Sequence, residues 1–378
     1  MTFAALLFLT LALGTGAIGA LQVPTLSLFL DTELKINSEL LGLFYAVNAL
    51  SGIAISLRVA HLSDKITQRV WLLRGCLAAL LLHACLFAYS RHYFWLITLG
   101  VLLNALGSSA IPQLFAMARE YQTRPAFSAL LRAQFSLAWI AGPPLAFWLI
   151  EAVGFKGLYL TSAVIVAVML LLTFGLPQRI SFVESLPKAL KSQYPPQKKN
   201  LTLLLIASVF FWCCSALYII NFPLFLTQHL QFETHRVGYF YALAAGLEIP
   251  IMLFAAHCVS RSGKKRLMLL ATLSGLLFFV FLSFSTSLLS LFVLQFFNAF
   301  FIALISTIGL FWFQDFMPDQ QGMASTLFTN SVSMGVLLAG CFQGAIASWL
   351  LPHQIWWVAA VLLSISLVLI SKVDNIHL

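Results

Sequence analysis

The sequence predicts an all-α integral membrane protein whose twelve transmembrane helices form two pseudo-symmetric six-helix halves. Three observations predict it. Of 378 residues, 61% are hydrophobic and only 9% charged, against roughly a quarter charged in water-soluble domains, so the whole surface cannot be wet. Apolar runs of about 20 residues recur, each long enough at about 1.5 Å per residue to cross a hydrocarbon core of about 30 Å. The chain also spells nearly the same nonapeptide twice. "GLFYAVNAL" starts at Gly42 and "GYFYALAAG" at Gly238, 196 residues apart with five of nine letters identical.

The apolar runs fall at 3–30, 40–60, 70–89, 94–118, 127–150, 155–176, 201–226, 237–258, 267–285, 288–313, 324–350 and 355–371. The first has no Lys or Arg before it, and its hydrophobicity continues through "LQVPTLSLFL" to Leu30. It reads as a retained helix rather than a cleaved leader. The six cysteines lie in or at the ends of apolar runs without metal-ligand spacing and read as small buried hydrophobes. His61 and His257 flank loops and likewise show no metal geometry.

Connections are short except for "PQRISFVESLPKALKSQYPPQKKN" at 177–200. Its prolines and lysines mark a polar linker. It divides the chain into an N-terminal six-helix half, 1–176, and a C-terminal half, 201–378.

The net charge of +9 is a topology signal more than a footprint for nucleic acid, for which no role is expected. When the 21 Lys and Arg are sorted by alternate connections, only Lys35, Arg91, Lys156 and Arg236 fall on one side. Arg132 falls inside span five and the rest lie opposite. By the positive-inside rule both termini are expected in the cytoplasm, with the chain multi-pass in its lipid bilayer.

The repeat extends beyond the nonapeptide. "AHLSDKITQR" from Ala60 aligns with "AHCVSRSGKK" from Ala256 at the same offset. Gln22 precedes Pro24 as Asn221 precedes Pro223, and "NAL" at Asn104 answers "NAF" at Asn298. Matches at nearly one offset imply two parallel halves related by an axis along the membrane normal.

Polar residues obey a second rule. Asn, Gln or Glu occur inside the spans at Gln22, Asn48, Asn104, Gln113, Gln134, Asn221, Glu248, Gln295, Asn298, Asn330 and Gln343, while spans three, six, nine and twelve carry none. An amide facing lipid leaves its donors and acceptors unpaired at several kcal/mol. Every third helix is therefore expected to be a lipid-facing buttress, and the others to surround a central wet cavity.

Several strings carry a family resemblance: "GALQVPTLSLFL", "PQLFAMAREY", "RAQFSLAWIAGPPLAF", "SALYIINFPLFL", "AAGLEIPIML" and "FQDFMP". Together they resemble the sugar efflux transporter family of the major facilitator superfamily, across nearly the whole chain. The resemblance implies the major facilitator fold. It also implies export of small sugars and glycosides, such as lactose and glucose, from the bacterial cell across its inner membrane, driven by proton entry. The superfamily's signature loop between helices two and three is degenerate here. "RVAHLSDKITQR" keeps Asp64, Lys65 and Arg69 but lacks both glycines. Val101 stands where superfamily members carry an arginine in helix four, which removes support for a proton relay through such a residue. "WIAGPPLA" resembles the antiporter signature through Gly142 and Pro143, which favours export.

Glu248 is the only acid near the middle of a span. An ionised carboxylate there is costly, so the side chain is suited to holding a proton and is the first candidate for proton coupling. The alternative is that it stays paired with a base, or hydrogen-bonds sugar without titrating. Gln22, Asn48, Asn104, Gln134, Asn221, Asn298 and Asn330 can each donate and accept, as a neutral hydroxyl-rich ligand requires. Their competing role is helix-to-helix bonding, worth about 0.6 kcal/mol on average in membranes. Trp139 and Tyr218 can lay a ring against a sugar face, although with 14% aromatics most rings simply pack. Asp64, Lys65 and Arg69 read as a gate latch or as a solvated loop. Arg132, a further gate candidate, either pairs with Glu248 or near Glu120, or snorkels to the cytoplasmic surface.

The expected mechanism is alternating access by a monomer, with proton and sugar occupying the site in opposite phases and no cofactor beyond the proton gradient. A proton-driven exporter of amphiphilic drugs, proton-linked sugar uptake, and a receptor that binds without transport remain as alternatives. No metal-ligand motif or phosphate-cradling glycine loop points to an enzyme.

Overall fold

The computed structural model describes residues 2–63, 69–122, 125–177, 198–317 and 321–374. Asp64, Lys65 and most of the expected linker at 177–200 lie outside the described residues. Regular structure among the described residues is helical throughout.

Helix α1 runs Phe3–Thr32 with a break after Gln22. Pro24 brings no backbone N–H, so carbonyls of the preceding turn lose their partners. The Thr25 hydroxyl supplies a donor to the carbonyls at the break, reaching Leu21 O at 2.8 Å and Gln22 O at 3.2 Å. Then come α2 (Ser38–Ser63), α3 (Arg69–Tyr89) and α4 (93–121). A π-helical segment, Leu96–Gly100, lies inside α4, and His83 Nδ1 of α3 donates to the Gly100 carbonyl at 3.0 Å.

The run Pro125–Leu172 is cut at Gly154, whose φ of 71° and ψ of 178° are not helical. A side chain is strained at that φ, which is why one glycine suffices to separate α5 (125–153) from α6 (155–172). The remaining helices are α7 (Lys198–Leu224, extended by a π turn Phe225–His229), α8 (Thr234–Ser262), α9 (Lys264–Leu282), α10 (Leu288–Phe316), α11 (Gln321–Ile346) and α12 (Ile355–Ser371). These correspond one for one to the twelve apolar runs of the sequence. α12 is the shortest helix of the second set, and α5 and α6 are distinct only because of Gly154.

The duplication read from the letters recurs in the backbone. Lys35 after α1 and Gln231 after α7 both take positive φ, 52° and 57°, at the 196-residue offset. α6 exposes Val164, Val168 and Leu171, and α12 exposes Val361, Ile365 and Val368, each pair 197 residues apart. The spacing of four and then three residues lays each stripe along one helix face. This is the apolar outer face expected of a sixth and a twelfth span.

The chain forms two compact units. One takes its described residues from Met1–Ile36, Val47–Ser185 and Phe232–Ala242, the other from Asn37–Ala46, Leu186–Gln231 and Leu243–Leu378. In the first unit α1 lies close on α5. A side chain added at Gly16 would meet Ala138 Cβ at 3.0 Å and Phe135 Cα at 3.1 Å. Gly142 leaves room for Ala20 in the same seam. Phe29, Phe87, Phe155 and Tyr159 form a ring cluster with centroids 5.1–5.5 Å apart. Arg74 of α3, buried, donates to the Thr173 hydroxyl at 3.1 Å and to its carbonyl at 3.2 Å, capping the end of α6. In the second unit the matching cap comes from Lys265 of α9, which reaches Ser371 O at the end of α12 at 2.8 Å. There α7 meets α11 through Ser208 and Ser331 at 2.7 Å and α12 through Cys214 and Ala359 O at 3.5 Å.

The first turns of α2 and α8 explain the repeated nonapeptide. Residues 37–46 belong with the second unit and 232–242 with the first. Gly42 lies against the backbone of Gly340 and Gly344 on α11, and Gly238 against Pro143 and Pro144 on α5. Beyond each glycine, Phe44 and Phe240, then Tyr45 and Tyr241, are all buried. The shared pattern G-x-F-Y-A therefore supplies, in each copy, one position without a side chain where another helix crosses, followed by two rings that seal it.

Candidate functional site

In the first unit two candidate residues present polar hydrogens that find no acceptor. Gln22 stands at the break in α1 that Pro24 creates. Its Nε2 is buried and has no hydrogen-bond partner among the described residues. On α5 the indole Nε1–H of Trp139 is in the same condition. The Trp139 ring lies over Gly19, at 3.9 Å from where a side chain would begin, and Gly19 and Gln22 are neighbours one turn apart on α1. Leaving such a buried donor unmade costs about 1–3 kcal/mol. A ligand bringing acceptor oxygens to this seam recovers that cost.

Asn48 and Asn104 are brought together in the same unit, Asn104 Nδ2 donating to Asn48 Oδ1 at 3.0 Å. The bond joins α2 to α4 and uses one donor and one acceptor, leaving each half-buried amide further capacity. Gln134 is half-buried on α5 and Arg132 is exposed on it; neither enters these contacts. Arg69 begins α3, half-buried. Asp64 and Lys65, its expected companions in a gate, lie outside the described residues.

The second unit holds a buried polar network. Gln295 Oε1 accepts from the Tyr218 hydroxyl at 3.0 Å and from Asn298 Nδ2 at 3.1 Å, while Gln295 Nε2 donates to Leu291 O at 3.4 Å. Tyr218 and Asn298 are 2% exposed and Gln295 is fully enclosed, so in this arrangement they bond one another. Glu248 of α8 is half-buried and lies within electrostatic reach of the Tyr218 hydroxyl. Asn221 donates to Leu217 O on its own helix at 3.0 Å. Asn330 is half-buried beside Ser331, whose hydroxyl meets Ser208.

Sequence reasoning gave Gln295 little weight and passed over Trp212 altogether. Gln295 and Asn298 are three apart on one helix and so share a face, which was legible. Trp212 was signalled by depth. Tryptophans concentrate at membrane interfaces, and Trp71, Trp95, Trp148, Trp349 and Trp357 are exposed near helix ends. Trp212 instead lies in the middle of α7, against Gly335 of α11, with its Nε1–H lacking a partner among the described residues. Trp139 and Trp212 are thus two mid-helix tryptophans beside a glycine of a neighbouring helix, the first through its ring and the second through its Cβ and backbone.

Comparison with known proteins agrees with this architecture. The family model described as Major Facilitator Superfamily matches residues 5–270 and 204–375. Sugar efflux transporter A of Escherichia coli (strain K12) is 44% identical over 375 residues, covering 98% of this chain and 96% of the relative. Sugar efflux transporter A of Dickeya chrysanthemi is 40% identical over 98% and 95% of the two chains. Sugar efflux transporter C of E. coli is 38% identical over the same shares. Among solved structures, the nucleoside transporter NupG superposes at a TM-score of 0.80 with 15% identity, covering 99% of this chain and all of that one. A bacterial homologue of the iron transporter ferroportin gives 0.75 at 13% identity, covering 98% and 99%. Both share the fold. With twelve apolar helices among its described residues and with near-full-length relatives, the chain belongs to the sugar efflux transporter family of the Major Facilitator Superfamily and is a membrane transporter, not an enzyme.

Proposed function

We propose that this chain exports small sugars and glycosides of the lactose and glucose kind across the bacterial inner membrane, by alternating access and in exchange for entering protons. It works as a monomer with both termini in the cytoplasm and needs no cofactor beyond the proton gradient. The observation that carries the sugar reading is 44% identity, over 98% of the chain, to a protein named for sugar efflux. The donors of Gln22 and Trp139 support it, since a sugar offers both the acceptor oxygens and the apolar ring face that an amide beside an indole can use. Asn48, Asn104, Gln134, Tyr218, Asn221, Asn298 and Asn330 are the further candidate contacts, and Arg69 and Arg132 with Asp64 and Lys65 the candidate gate. Glu248, within electrostatic reach of the Tyr218 hydroxyl, is the candidate proton carrier. Proton entry down about 150 mV supplies about 3.4 kcal/mol, enough for a sugar gradient of roughly 300-fold.

The test is uptake of labelled lactose and of a lipophilic cation into inverted vesicles under an imposed pH gradient. Wild type accumulates sugar alone, Glu248→Gln loses proton-driven accumulation, and Trp139→Phe raises the sugar concentration needed for half-maximal rate. Accumulation of the cation alone overturns the sugar reading in favour of a drug exporter, and binding without accumulation makes the protein a receptor. Undiminished accumulation by Glu248→Gln removes that residue from coupling.

A further inference from the structure

A charge cluster joins the end of α5 to the start of α8, away from the residues discussed so far. His235 Nδ1 lies 2.9 Å from Glu151 Oε2 and 3.2 Å from its Oε1, and the His235 backbone N–H donates to Glu151 Oε1 at 2.8 Å. On the other side of the ring, His235 Nε2 is 3.8 Å from Glu233 Oε2. That same oxygen is held by Arg236 Nη2 at 2.7 Å and Nε at 2.8 Å. Tyr239 stands edge-on to the imidazole at 5.7 Å. Among the described residues these are the charged and titratable groups facing His235.

A neutral imidazole carries one N–H, yet both ring nitrogens here face carboxylate oxygens. The charges agree: two glutamates and one arginine leave the cluster one negative charge in excess, which a proton on His235 cancels. The first-turn N–H groups of α8 have no partner within the helix, and one of them, that of His235, donates to Glu151 and holds the carboxylate beside the ring.

We propose that His235 is a proton-binding site that fastens α5 to α8. On the membrane orientation proposed above the cluster faces outside, where protons enter. Protonation completes the Glu151–His235–Glu233–Arg236 chain and holds the two helix ends together, just beyond the seam where Gly238 meets Pro143 and Pro144. Deprotonation removes one of the two ring donors and lets the ends part. The site lies a third exposed, with His235 at 31%. Its proton therefore exchanges with the outer solution on every opening, and the site sets the rate of closing without adding to the transported charge.

The test reads the helix ends themselves and is independent of cargo. In a chain with its six cysteines replaced, spin labels are placed on cysteines introduced at Ala152 and Gln231, both exposed. Their separation is measured in liposomes at pH 5.5 and pH 8.5, across the range in which imidazole changes charge. The long-distance population is expected to grow up to about fivefold at the higher pH, the scale of a partly exposed ion pair. His235→Asn removes that response. Glu151→Gln, which keeps an acceptor for the backbone N–H but no charge, reduces it. A wild-type distribution unchanged by pH, or a full response surviving in His235→Asn or Glu151→Gln, overturns the proposal. Failure of sugar transport leaves the distances readable and overturns only the cargo reading.

Discussion

Gly42→Ala tests the meaning of the duplicated nonapeptide. The added methyl would fall on Gly344 N and Gly340 O, with Gly344 Cα next, far inside the 3.4–4 Å of ordinary van der Waals contact. Every one of those atoms is backbone, so no side-chain rotation relieves the overlap. α2 and α11 must separate by about 1 Å, which forfeits a quarter to a half of the dispersion at each affected contact. Overpacking of this kind costs about 1–3 kcal/mol, and the better helix propensity of alanine returns about 0.5–1 kcal/mol. The net is about 1–2 kcal/mol against the closed seam, or a shift of about 5- to 30-fold toward arrangements in which α2 and α11 are apart.

Gly52, ten residues on in the same helix, is the internal control, because nothing lies within 4 Å of a side chain added there. Gly52→Ala should keep only the propensity gain. Thermal unfolding of the purified protein, with initial transport rate alongside, separates the two variants. Gly42→Ala is expected to melt a few degrees lower and to turn over more slowly, and Gly52→Ala to melt at or above wild type. Equal melting of the two variants would refute the argument that Gly42 exists for a close helix crossing.

Gln295→Leu leaves the Tyr218 hydroxyl and the Asn298 amide without the oxygen they share, a loss of about 1–3 kcal/mol for each orphaned buried donor. A lower unfolding temperature is expected, with Tyr218→Phe in the same background restoring part of it. Arg74→Lys keeps the charge but not the fork that reaches both the hydroxyl and the carbonyl of Thr173, so it should destabilise nearly as much as Arg74→Ala in a chemical-denaturation series. Lys35→Gly and Gln231→Gly relieve positive-φ strain at equivalent turns, where a side chain costs about 1 kcal/mol. Each should raise the melting temperature, and the pair should act additively because the two turns belong to different units.

The helices were legible because lipid demands one property, unbroken apolarity, over a length set by the bilayer. α5 and α6 show how far that reaches: the apolar runs stop at Ile150 and resume at Phe155, and the structure needs only Gly154 between them. The partners of polar residues were not legible in the same way. Asn48 and Asn104 were separate candidates in the sequence, and only the packing of α2 on α4 makes them a pair. Asn298 and Tyr218 were likewise weighed singly, while the residue that joins them, Gln295, sits on the same helix face as Asn298. In a span where most positions are hydrophobic, the sequence shows which residues must find a partner but not on which neighbouring helix it waits.

The two copies also differ at particular positions. Both keep the glycine, phenylalanine and tyrosine of the nonapeptide, because those positions serve a helix crossing that each copy makes. They part at its seventh letter, Asn48 in the first copy and Ala244 in the second. In the first copy that asparagine accepts from Asn104; in the second, the equivalent Asn298 donates to Gln295, whose oxygen also accepts from Tyr218. Glu248 follows four residues after Ala244, one helical turn along α8, and its counterpart at that offset is Gly52. Replacing an amide by alanine and a glycine by an acid within one turn changes the polar chemistry of α8 while leaving the packing motif intact. A duplicated scaffold can thus keep one packing motif in both copies while one copy holds the amide pair and the other carries an acid.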